Sequence, residues 1–288
     1  MEAKIKRAEI LIEALPYIRD FSGKPFVVKY GGSAMLNDEL REKVARDLVL
    51  LKLVGINLVV VHGGGKHINE MLGKLNIKGE FRNGLRVTDE ETMRVVEMVL
   101  SGRSNKDIVT LINKHGGNAV GLSGKDGPLL HAVPYVDSDG GTYGQVGVVQ
   151  SVSTPLIDRM LDGDFIPVIS PVAFGQDGKS YNVNADMVAS RVAQSIHASK
   201  LIYLTDVPGV LRDPKDPASL VSTLTIQESR ALITEGVISG GMLPKVNSII
   251  ECLENGVEKV HIVNGMTPHA LLLEVFTDGG IGTEFRAV

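Results

Sequence analysis

Residues 58–67 read Leu58-Val59-Val60-Val61-His62-Gly63-Gly64-Gly65-Lys66-His67, an apolar run that turns into a glycine triplet. Four consecutive apolar residues are typical of a strand that is buried on both faces of a sheet. The next segment, residues 68–75, has helical spacing, so the glycines form the turn between a strand and a helix. Glycines let a ligand approach the main chain, and a helix start presents free N–H groups. The stretch therefore predicts an oxyanion or phosphate cradle, with a packing role for the glycines as the alternative.

A second strand-to-glycine unit precedes this one, because residues 25–32 read Pro25-Phe26-Val27-Val28-Lys29-Tyr30-Gly31-Gly32. Ligands of open α/β sheets bind at the carboxyl ends of strands, so Lys29 is well placed for a phosphate, with an ordinary edge lysine as the alternative. Residues 38–54 predict an amphipathic helix between the two strands. The order strand, helix, strand, helix predicts a parallel sheet with right-handed crossovers.

The amino-acid composition excludes several classes of protein. The chain has 288 residues, of which 43% are hydrophobic and 22% charged, as in ordinary globular proteins. Its net charge of -4 gives no reason to expect a nucleic-acid partner. The one cysteine, Cys252, excludes an internal disulfide and a multi-cysteine zinc site. The first residues lack the apolar core of a signal peptide and no apolar run reaches membrane length, so we expect no membrane and a cytoplasmic location.

Further candidates follow along the chain. Arg86 lies in a predicted loop or short hairpin and is a candidate carboxylate clamp, with a surface pair to Glu90 as the alternative. Helices are predicted over about 90–101 and 104–114, and a hairpin over 129–136 and 144–152. Asn182 and Asp186 stand at a loop that leads into a helix, where both side chains can converge on one ligand; helix capping is the alternative for Asp186.

Two lysines beside glycine turns, Lys29 and Lys245, accompany the glycine triplet and the acidic helix start at Asp186. Phosphoryl transfer needs such positive groups and little covalent chemistry. A Walker A motif is absent from the sequence, since Gly65-Lys66 is followed by His67 and not by Ser or Thr. The triplet also lacks the third spaced glycine of a dinucleotide fingerprint, which disfavours a nicotinamide-dependent enzyme.

In this order, six segments make the chain resemble the amino acid kinase family, and within it the members that phosphorylate N-acetyl-L-glutamate. They are Lys29–Gly32, Val61–Gly65, Gly84–Thr88, Asn182–Asp186, Leu204–Val210 and Gly240–Lys245. The resemblance implies an α/β fold, a three-layer αβα sandwich around a mostly parallel sheet of about eight strands with an extra N-terminal helix. It further implies a helical arm over residues 1–22, an acetylglutamate-binding lobe over 23–197 and an ATP-binding lobe over 198–288.

The resemblance also implies a role for each matching residue. Lys29 and Lys245 would stabilise the phosphoryl group in the transition state, and Asp186 would orient them. The substrate would be held by Gly64, Gly65, Arg86 and Asn182. ATP, which would arrive with Mg²⁺, would be bound by Gly31, Gly32, Thr205, Asp206, Gly209 and Lys245, with no metal site on the protein itself.

The implied reaction is ATP-dependent phosphorylation of the γ-carboxylate of N-acetyl-L-glutamate, the second step of arginine biosynthesis. This carboxylate is already a nucleophile at neutral pH, so no general base is required. The alternatives are another member of the family, such as a carbamate kinase, an aspartokinase or a uridylate kinase, and a non-catalytic subunit that senses arginine or a nucleotide. Arg86 and the loop at Asn182 favour an acidic amino-acid substrate.

An amphipathic helix is predicted over residues 3–19, kinked or ended by Pro16. It resembles the arm of the arginine-inhibited members, which interlaces dimers into a hexamer; a helix packed on its own domain is the alternative. The resemblance implies a homo-oligomer, either a dimer or a hexamer built as a trimer of dimers. It also implies an L-arginine effector between the arm and the C-terminal part, with the site residues Tyr17, Lys200, Glu274 and Glu284.

Overall fold

The computed structural model describes Met1, Ile5, Glu9 and residues 12–288. Much of the helix predicted over residues 3–19 falls outside the described residues. Within them, helix α1 spans Leu15–Phe21, and Pro16 stands in its first turn, where a missing N–H leaves no bond unmade. The helix is tied to the rest of the chain by the Tyr17 hydroxyl, which donates to Asp278, and by the Phe21 ring, whose centroid lies 5.3 Å from that of Phe26.

The remaining elements alternate along the chain. The strands are β1 Pro25–Tyr30, β2 Asn57–His62, β3 Glu80–Arg82, β4 Leu85–Val87, β5 Ala119–Ser123, β6 Leu130–Val136, β7 Thr142–Val152, β8 Ile166–Ser170, β9 Val172–Phe174, β10 Ser180–Val183, β11 Lys200–Thr205, β12 Thr223–Thr225, β13 Lys259–Asn264 and β14 Thr283–Arg286. The α-helices after α1 are α2 Asp38–Leu53, α3 Gly65–Lys74, α4 Glu90–Glu97, α5 Asn105–Lys114, α6 Pro155–Asp162, α7 Ala185–Ser195, α8 Ile226–Thr234, α9 Met242–Glu254 and α10 Ala270–Val275. None of these described helices is long and apolar enough to cross a membrane.

Eight strands form the main sheet in the order β12-β14-β13-β11-β1-β2-β8-β5. Neighbouring strands are parallel except β13 and β14, which are antiparallel. The predicted mostly parallel sheet of about eight strands is therefore confirmed. The strands on one side of the β1–β11 pairing come from the first part of the chain, and those on the other side come from the last part.

The apolar runs of β1 and β2 explain why this sheet has covered faces. Leu58, Val59, Val60 and Val61 are all 0% exposed, as their unbroken apolar pattern predicts. Val59 and Val61 pack in the cluster on one face, while Leu58 and Val60 pack in the cluster on the other, because successive side chains of a strand point to opposite faces. Full burial of such a side chain contributes about 1.5–3 kcal/mol.

A small closed sheet of β6, β7, β9 and β10 stands beside the main one. Strands β6 and β7 form the predicted hairpin, and Asp137 closes its turn by accepting from the N–H of Gly141 at 2.6 Å. Strands β3 and β4 form a second hairpin, as the sequence predicts for the segment around Arg86.

The predicted interruption between helices 90–101 and 104–114 is wrong. A π-helical turn, Met98–Ser104, joins α4 to α5 without a break. Gly102 weakens a helix intrinsically, but burial of Val99, Leu100 and Ser104 outweighs that local preference. The turn brings Leu100 against Gly64, where an added Cβ would lie 2.5 Å from a Leu100 methyl carbon.

Candidate active site

A cavity of about 450 Å³ lies at the carboxyl ends of β1 and β2 and at the start of α7. This is the sheet edge at which open α/β proteins bind their ligands. The residues that line it include Lys29, the triplet Gly63, Gly64 and Gly65, Arg86, Asn182 and Asp186. Candidates that are far apart in the sequence thus converge on one site.

Asp186 bridges the two lysines. Its Oδ1 lies 2.9 Å from Lys29 Nζ, and its Oδ2 accepts from Lys245 Nζ. The Lys29 and Lys245 side chains are 12% and 15% exposed, so the three charges stand at the edge of solvent. Burial raises the pKa of Asp186, but the two ammonium groups outweigh it and hold that pKa at about 2. The carboxylate is therefore ionised at neutral pH.

The capping alternative for Asp186 is wrong. Asn184 is the N-cap of α7, because its Oδ1 accepts from the N–H groups of Asp186 at 2.8 Å and Met187 at 3.4 Å. The Asp186 carboxylate is thus free of the helix end and faces the lysines. Tyr203 of β11 contacts both Asp186 and Lys245. Its hydroxyl donates to the Asp186 carbonyl at 3.3 Å, and its ring centroid lies 4.9 Å from the Lys245 ammonium.

The glycine triplet turns β2 into α3. The Gly63 N–H donates to the Tyr30 carbonyl at 2.8 Å, which ties the turn to the end of β1. Helix α3 begins at Gly65, so the N–H groups of its first turn have no partner within the helix. A Cβ on Gly65 would meet nothing within 4 Å, whereas one on Gly64 would strike Leu100. Packing therefore explains the glycine at position 64, and position 65 opens to the cavity.

Arg86 of β4 is 7% exposed. Its Nη2 donates to Asn69 Oδ1 at 2.6 Å and to the Gly65 carbonyl at 3.2 Å, and the Phe81 ring lies 4.6 Å from its guanidinium carbon. Within the described part of the chain, its buried Nη1 has no hydrogen-bond partner. The alternative of a surface pair with Glu90 is wrong. Arg86 lines the cavity, and its Nη1 is a donor that no described residue satisfies.

Asn182 of β10 forms the facing wall with α7. Its Nδ2 donates to Thr88 Oγ1 at 3.1 Å, and Thr88 in turn donates to the Arg86 carbonyl at 2.7 Å. The two predicted substrate contacts, Arg86 and Asn182, are therefore joined by one hydrogen-bond chain.

The loop after β1 carries Gly31 and Gly32. A Cβ on Gly31 would collide with the Lys29 ammonium, and Gly32 has a φ of +74° that favours glycine. Asp206, which follows β11, accepts from the Ser33 N–H at 2.6 Å and so closes this loop. Of the residues predicted to bind ATP, Gly32 lines the cavity, whereas Gly31, Thr205, Asp206, Gly209 and Lys245 do not. Gly209 has a φ of +146° and packs against Thr283.

Sequence reasoning missed two groups that shape the site, Asn69 and Leu100. Asn69 lies one helical turn after Gly65 on α3, and this i,i+4 spacing places it on the same face as the glycine turn. Leu100 belongs to the π-helical turn, which no local sequence pattern predicts.

Comparison with known proteins identifies the family of the chain. The sequence model of the amino acid kinase family matches residues 24–264. The acetylglutamate kinase of Heliobacterium modesticaldum is 55% identical over 287 residues, covering 97% of each chain. That of Thermosynechococcus vestitus is 54% identical over 277 residues, covering 96% of this chain and 93% of the relative. The chain belongs to the amino acid kinase family.

Solved structures agree with this membership. N-acetylglutamate synthase from Neisseria gonorrhoeae, complexed with coenzyme A and N-acetyl-glutamate, superimposes with a TM-score of 0.86 at 29% identity. The match covers 98% of this chain but only 63% of the synthase chain. Carbamate kinase from Giardia lamblia, bound to AMP-PNP, shares the fold with a TM-score of 0.67 at 17% identity, covering 92% of this chain and 99% of that one.

This amino acid kinase has a second cavity, of about 270 Å³, on which Tyr17, Lys200, Glu274 and Glu284 all converge. Lys200 Nζ lies 3.1 Å from His261 Nε2, and His261 Nδ1 lies 2.6 Å from Glu274 Oε1. Burial and the neighbouring Lys259 lower the pKa of Lys200 to about 8, although Glu284 and Glu274 oppose the shift.

The two glutamates of this cavity differ in what they already bind. Glu274 also accepts from the N–H groups of Ile281 at 2.7 Å and Gly282 at 3.0 Å, so both of its oxygens are engaged and buried. Glu284 pairs with Lys259 at 2.9 Å and its side chain is 22% exposed. Glu284 is therefore the more accessible carboxylate.

Proposed function

We propose that this amino acid kinase transfers the γ-phosphoryl group of ATP to the γ-carboxylate of N-acetyl-L-glutamate, giving N-acetyl-L-glutamyl 5-phosphate and ADP. Relatives that are 51–55% identical over nearly the whole chain are acetylglutamate kinases. The observation that carries the proposal is the pair of lysines, Lys29 and Lys245, held by the ionised carboxylate of Asp186. Asp186 and Lys29 line the same cavity as the glycine triplet.

The lysines act on the phosphoryl group as it moves. In a loose transition state the charge spreads over the three equatorial oxygens and the bridging oxygen, so two fixed ammonium groups stabilise it. Asp186 holds both amines in place before the substrates arrive and does not act as a base. The acceptor needs no base, because a γ-carboxylate is ionised at neutral pH.

The acceptor is held by groups of the first part of the chain. Arg86, with its unpartnered Nη1, binds the α-carboxylate. Asn182 contacts the acetamido side, and the N–H groups of Gly64 and Gly65 face the reacting carboxylate and the γ-phosphate. In this scheme residues 23–197 form the acetylglutamate-binding lobe and residues 198–288 the ATP-binding lobe.

ATP would contact Gly31 and Gly32 as well as Thr205, Asp206, Gly209 and Lys245. Magnesium would arrive with the nucleotide, since Mg²⁺ is commonly held by substrate phosphates and water. Among the described residues no three His, Cys, Asp or Glu side chains converge on a metal position. Asp206 is a carboxylate that is already hydrogen-bonded to the loop after β1.

An ADP-release assay tests the reaction. Acetylglutamate, aspartate, carbamate and UMP are offered separately with ATP and magnesium, and we expect turnover with acetylglutamate alone. Turnover with one of the others and none with acetylglutamate would assign the chain to a different branch of the family. Absence of turnover with all four would favour a non-catalytic sensing subunit.

We further propose that L-arginine is a feedback inhibitor bound in the second cavity, and that the chain is a homo-oligomer. Lys200 would face the effector's carboxylate and Glu284 its guanidinium. A structure of the Neisseria synthase, with 28% identity and a TM-score of 0.82, is complexed with coenzyme A and L-arginine; that match covers 98% of this chain and 65% of the synthase chain. Sizing the protein with and without residues 1–20, while titrating arginine into the assay, tests the effector and the arm together. A full-length dimer that is indifferent to arginine would contradict both the hexamer and the effector.

A further inference from the structure

His62 lies directly behind the glycine cradle. It is the last residue of β2 and is 0% exposed, while the residues that follow it line the cavity. Its Nδ1 lies 2.7 Å from the carbonyl oxygen of Gly63. A carbonyl oxygen only accepts hydrogen bonds, so this ring nitrogen must carry the proton.

The other ring nitrogen is matched by Asn105, which is also 0% exposed. Asn105 Nδ2 donates to the Val168 carbonyl at 2.8 Å and lies 3.2 Å from His62 Nε2, with the Leu122 carbonyl farther away at 3.4 Å. Asn105 Oδ1 lies 3.0 Å from Nζ of Lys106, a group that only donates. Both neighbours therefore orient the amide with its nitrogen toward His62, and this nitrogen donates to an unprotonated Nε2.

Asn105 and the Gly63 carbonyl thus select the same neutral tautomer of His62, protonated on Nδ1. Burial lowers the pKa of His62 to about 4, which keeps the ring neutral at physiological pH. The tautomer is therefore assigned from what the Gly63 carbonyl, the Val168 carbonyl and the Lys106 ammonium can accept or donate, and not from one distance alone.

The orientation of one peptide group follows from this tautomer. A trans peptide is planar, so its C=O and N–H point in opposite directions. The described chain contains no cis peptide bond. Because the Gly63 carbonyl points at the buried imidazole, the N–H of Gly64 points to the opposite side. The Gly63 N–H is itself held by the Tyr30 carbonyl at 2.8 Å, so both peptide groups that flank this glycine are fixed.

We propose that His62 is a positioning residue for phosphoryl transfer. Its Nδ1–H holds the Gly63 carbonyl so that the Gly64 N–H faces the reacting groups, and Asn105 sets the tautomer that makes this possible. The inference rests on the proposed role of Gly64 in binding substrate and phosphate. Glycines rotate freely unless they are held, and a donor contributes most to a transition state when it is oriented in advance.

Two substitutions of His62 distinguish a role in orienting the Gly63 carbonyl from a role in filling volume in the core. The amide nitrogen of His62→Asn reaches the place of Nδ1 and can still donate to Gly63. The longer His62→Gln reaches the place of Nε2 and Asn105 but leaves the Gly63 carbonyl unheld. We expect kcat with acetylglutamate to fall about tenfold or more in His62→Gln, with KM for ATP unchanged, and to fall less in His62→Asn. If His62 only filled volume, glutamine would be the better replacement, and the order would be reversed.

A spectroscopic measurement covers the case in which these variants fail to fold. In the wild-type protein with ¹⁵N-labelled histidine, we expect His62 to show a protonated Nδ1 and an unprotonated Nε2 at neutral pH. A protonated Nε2 would overturn the proposal. Lys114→Met, on the same helix as Asn105 but in an exposed pair with Glu42, serves as a control and should show the wild-type tautomer and turnover.

The outcomes also separate this proposal from the proposed function. Wild-type turnover of acetylglutamate, combined with a His62→Gln variant as active as His62→Asn, would overturn the positioning role and leave the reaction in place. A wild-type protein without activity toward acetylglutamate would overturn both.

Discussion

The ammonium nitrogen of Lys29 lies 2.9 Å from Oδ1 of Asp186, although one residue belongs to β1 and the other to the first turn of α7. The second oxygen of the same carboxylate takes Lys245. Three charged groups from three distant segments therefore form one preorganised unit.

In Asp186→Asn, the amide has nearly the same shape but lacks the charge that holds two like-charged amines together. We expect kcat to fall roughly 100-fold, measured by ADP release. Asp162→Asn, an exposed carboxylate at the end of α6, should leave kcat unchanged.

Lys245→Ala should reduce turnover far more than it weakens acetylglutamate binding. The amine stands on α9 and is proposed to act on the phosphoryl group and not on the acceptor. We expect kcat to fall roughly 100- to 1,000-fold, with the calorimetric Kd for acetylglutamate nearly unchanged. Lys215→Ala, in an exposed loop, is the control. Near-normal turnover would remove the assigned role from Lys245.

Arg86→Lys tests the carboxylate clamp. Lysine keeps the charge but loses the planar fork, the contact with Asn69 and the stacking on Phe81. Hydrogen bonds to charged groups contribute about 1.5–3 kcal/mol, so KM for acetylglutamate should rise roughly ten- to 100-fold. KM for ATP should stay constant. Arg82→Lys, on the exposed neighbouring strand, should show neither change, and an unchanged KM in Arg86→Lys would place the α-carboxylate elsewhere.

Glu284→Gln should weaken inhibition by arginine and leave turnover without arginine intact. Loss of a charged partner for the guanidinium should raise the half-inhibitory concentration about tenfold or more. The measurement is an arginine titration of the activity assay, with Glu235→Gln as an exposed control. Equal sensitivity of Glu284→Gln and wild type would exclude Glu284 from the effector site.

Asp47 predicts a dependence of stability on pH. It is 0% exposed, its Oδ1 lies 2.6 Å from His269 Nδ1, and its Oδ2 has no hydrogen-bond partner among the described residues. Burial raises the pKa of Asp47 from 3.8 to about 6, against the opposing effect of His269. Between these values the folded protein keeps a proton that the unfolded chain has released, so this group makes the free energy of unfolding fall as the pH rises.

Urea unfolding of wild type and Asp47→Asn at several pH values measures that contribution. The asparagine variant cannot ionise, so we expect it to gain stability relative to wild type as the pH rises from about 4 to about 6. A difference between the two proteins that stays constant over this window would contradict the raised pKa.

The parallel sheet could be predicted because its central strands β1 and β2 are short apolar runs followed by glycines, and burial of both faces favours such runs. The apolar run Val59–Val61 indicates both that the segment is a strand and that the strand is buried within the sheet. The π-helical turn Met98–Ser104 could not be predicted, because it depends on where Leu100 packs and not on local preference.

In the candidate site, too, some residues could be placed from the sequence and others could not. Lys29 lies near the carboxyl end of β1 and Gly64 follows β2, so their place at one sheet edge follows from the chain order. The approach of Lys245 to Asp186 depends on how α9 packs against α7, and no local spacing encodes it. His62 reads as the plain end of an apolar strand, and its role becomes visible only when Asn105 is placed beside it.

The seam between β1 and β11 has a practical consequence. Among the described strands of the main sheet, those on one side of it precede residue 171 and those on the other follow residue 199. A break at the exposed turn around His197 would leave Lys29 and Asp186 on one fragment and Lys245 on the other. Two such fragments, produced separately and fused to interacting partners, should regain phosphoryl transfer only when the partners bring them together. The molecule would then serve as a complementation sensor whose readout is ADP.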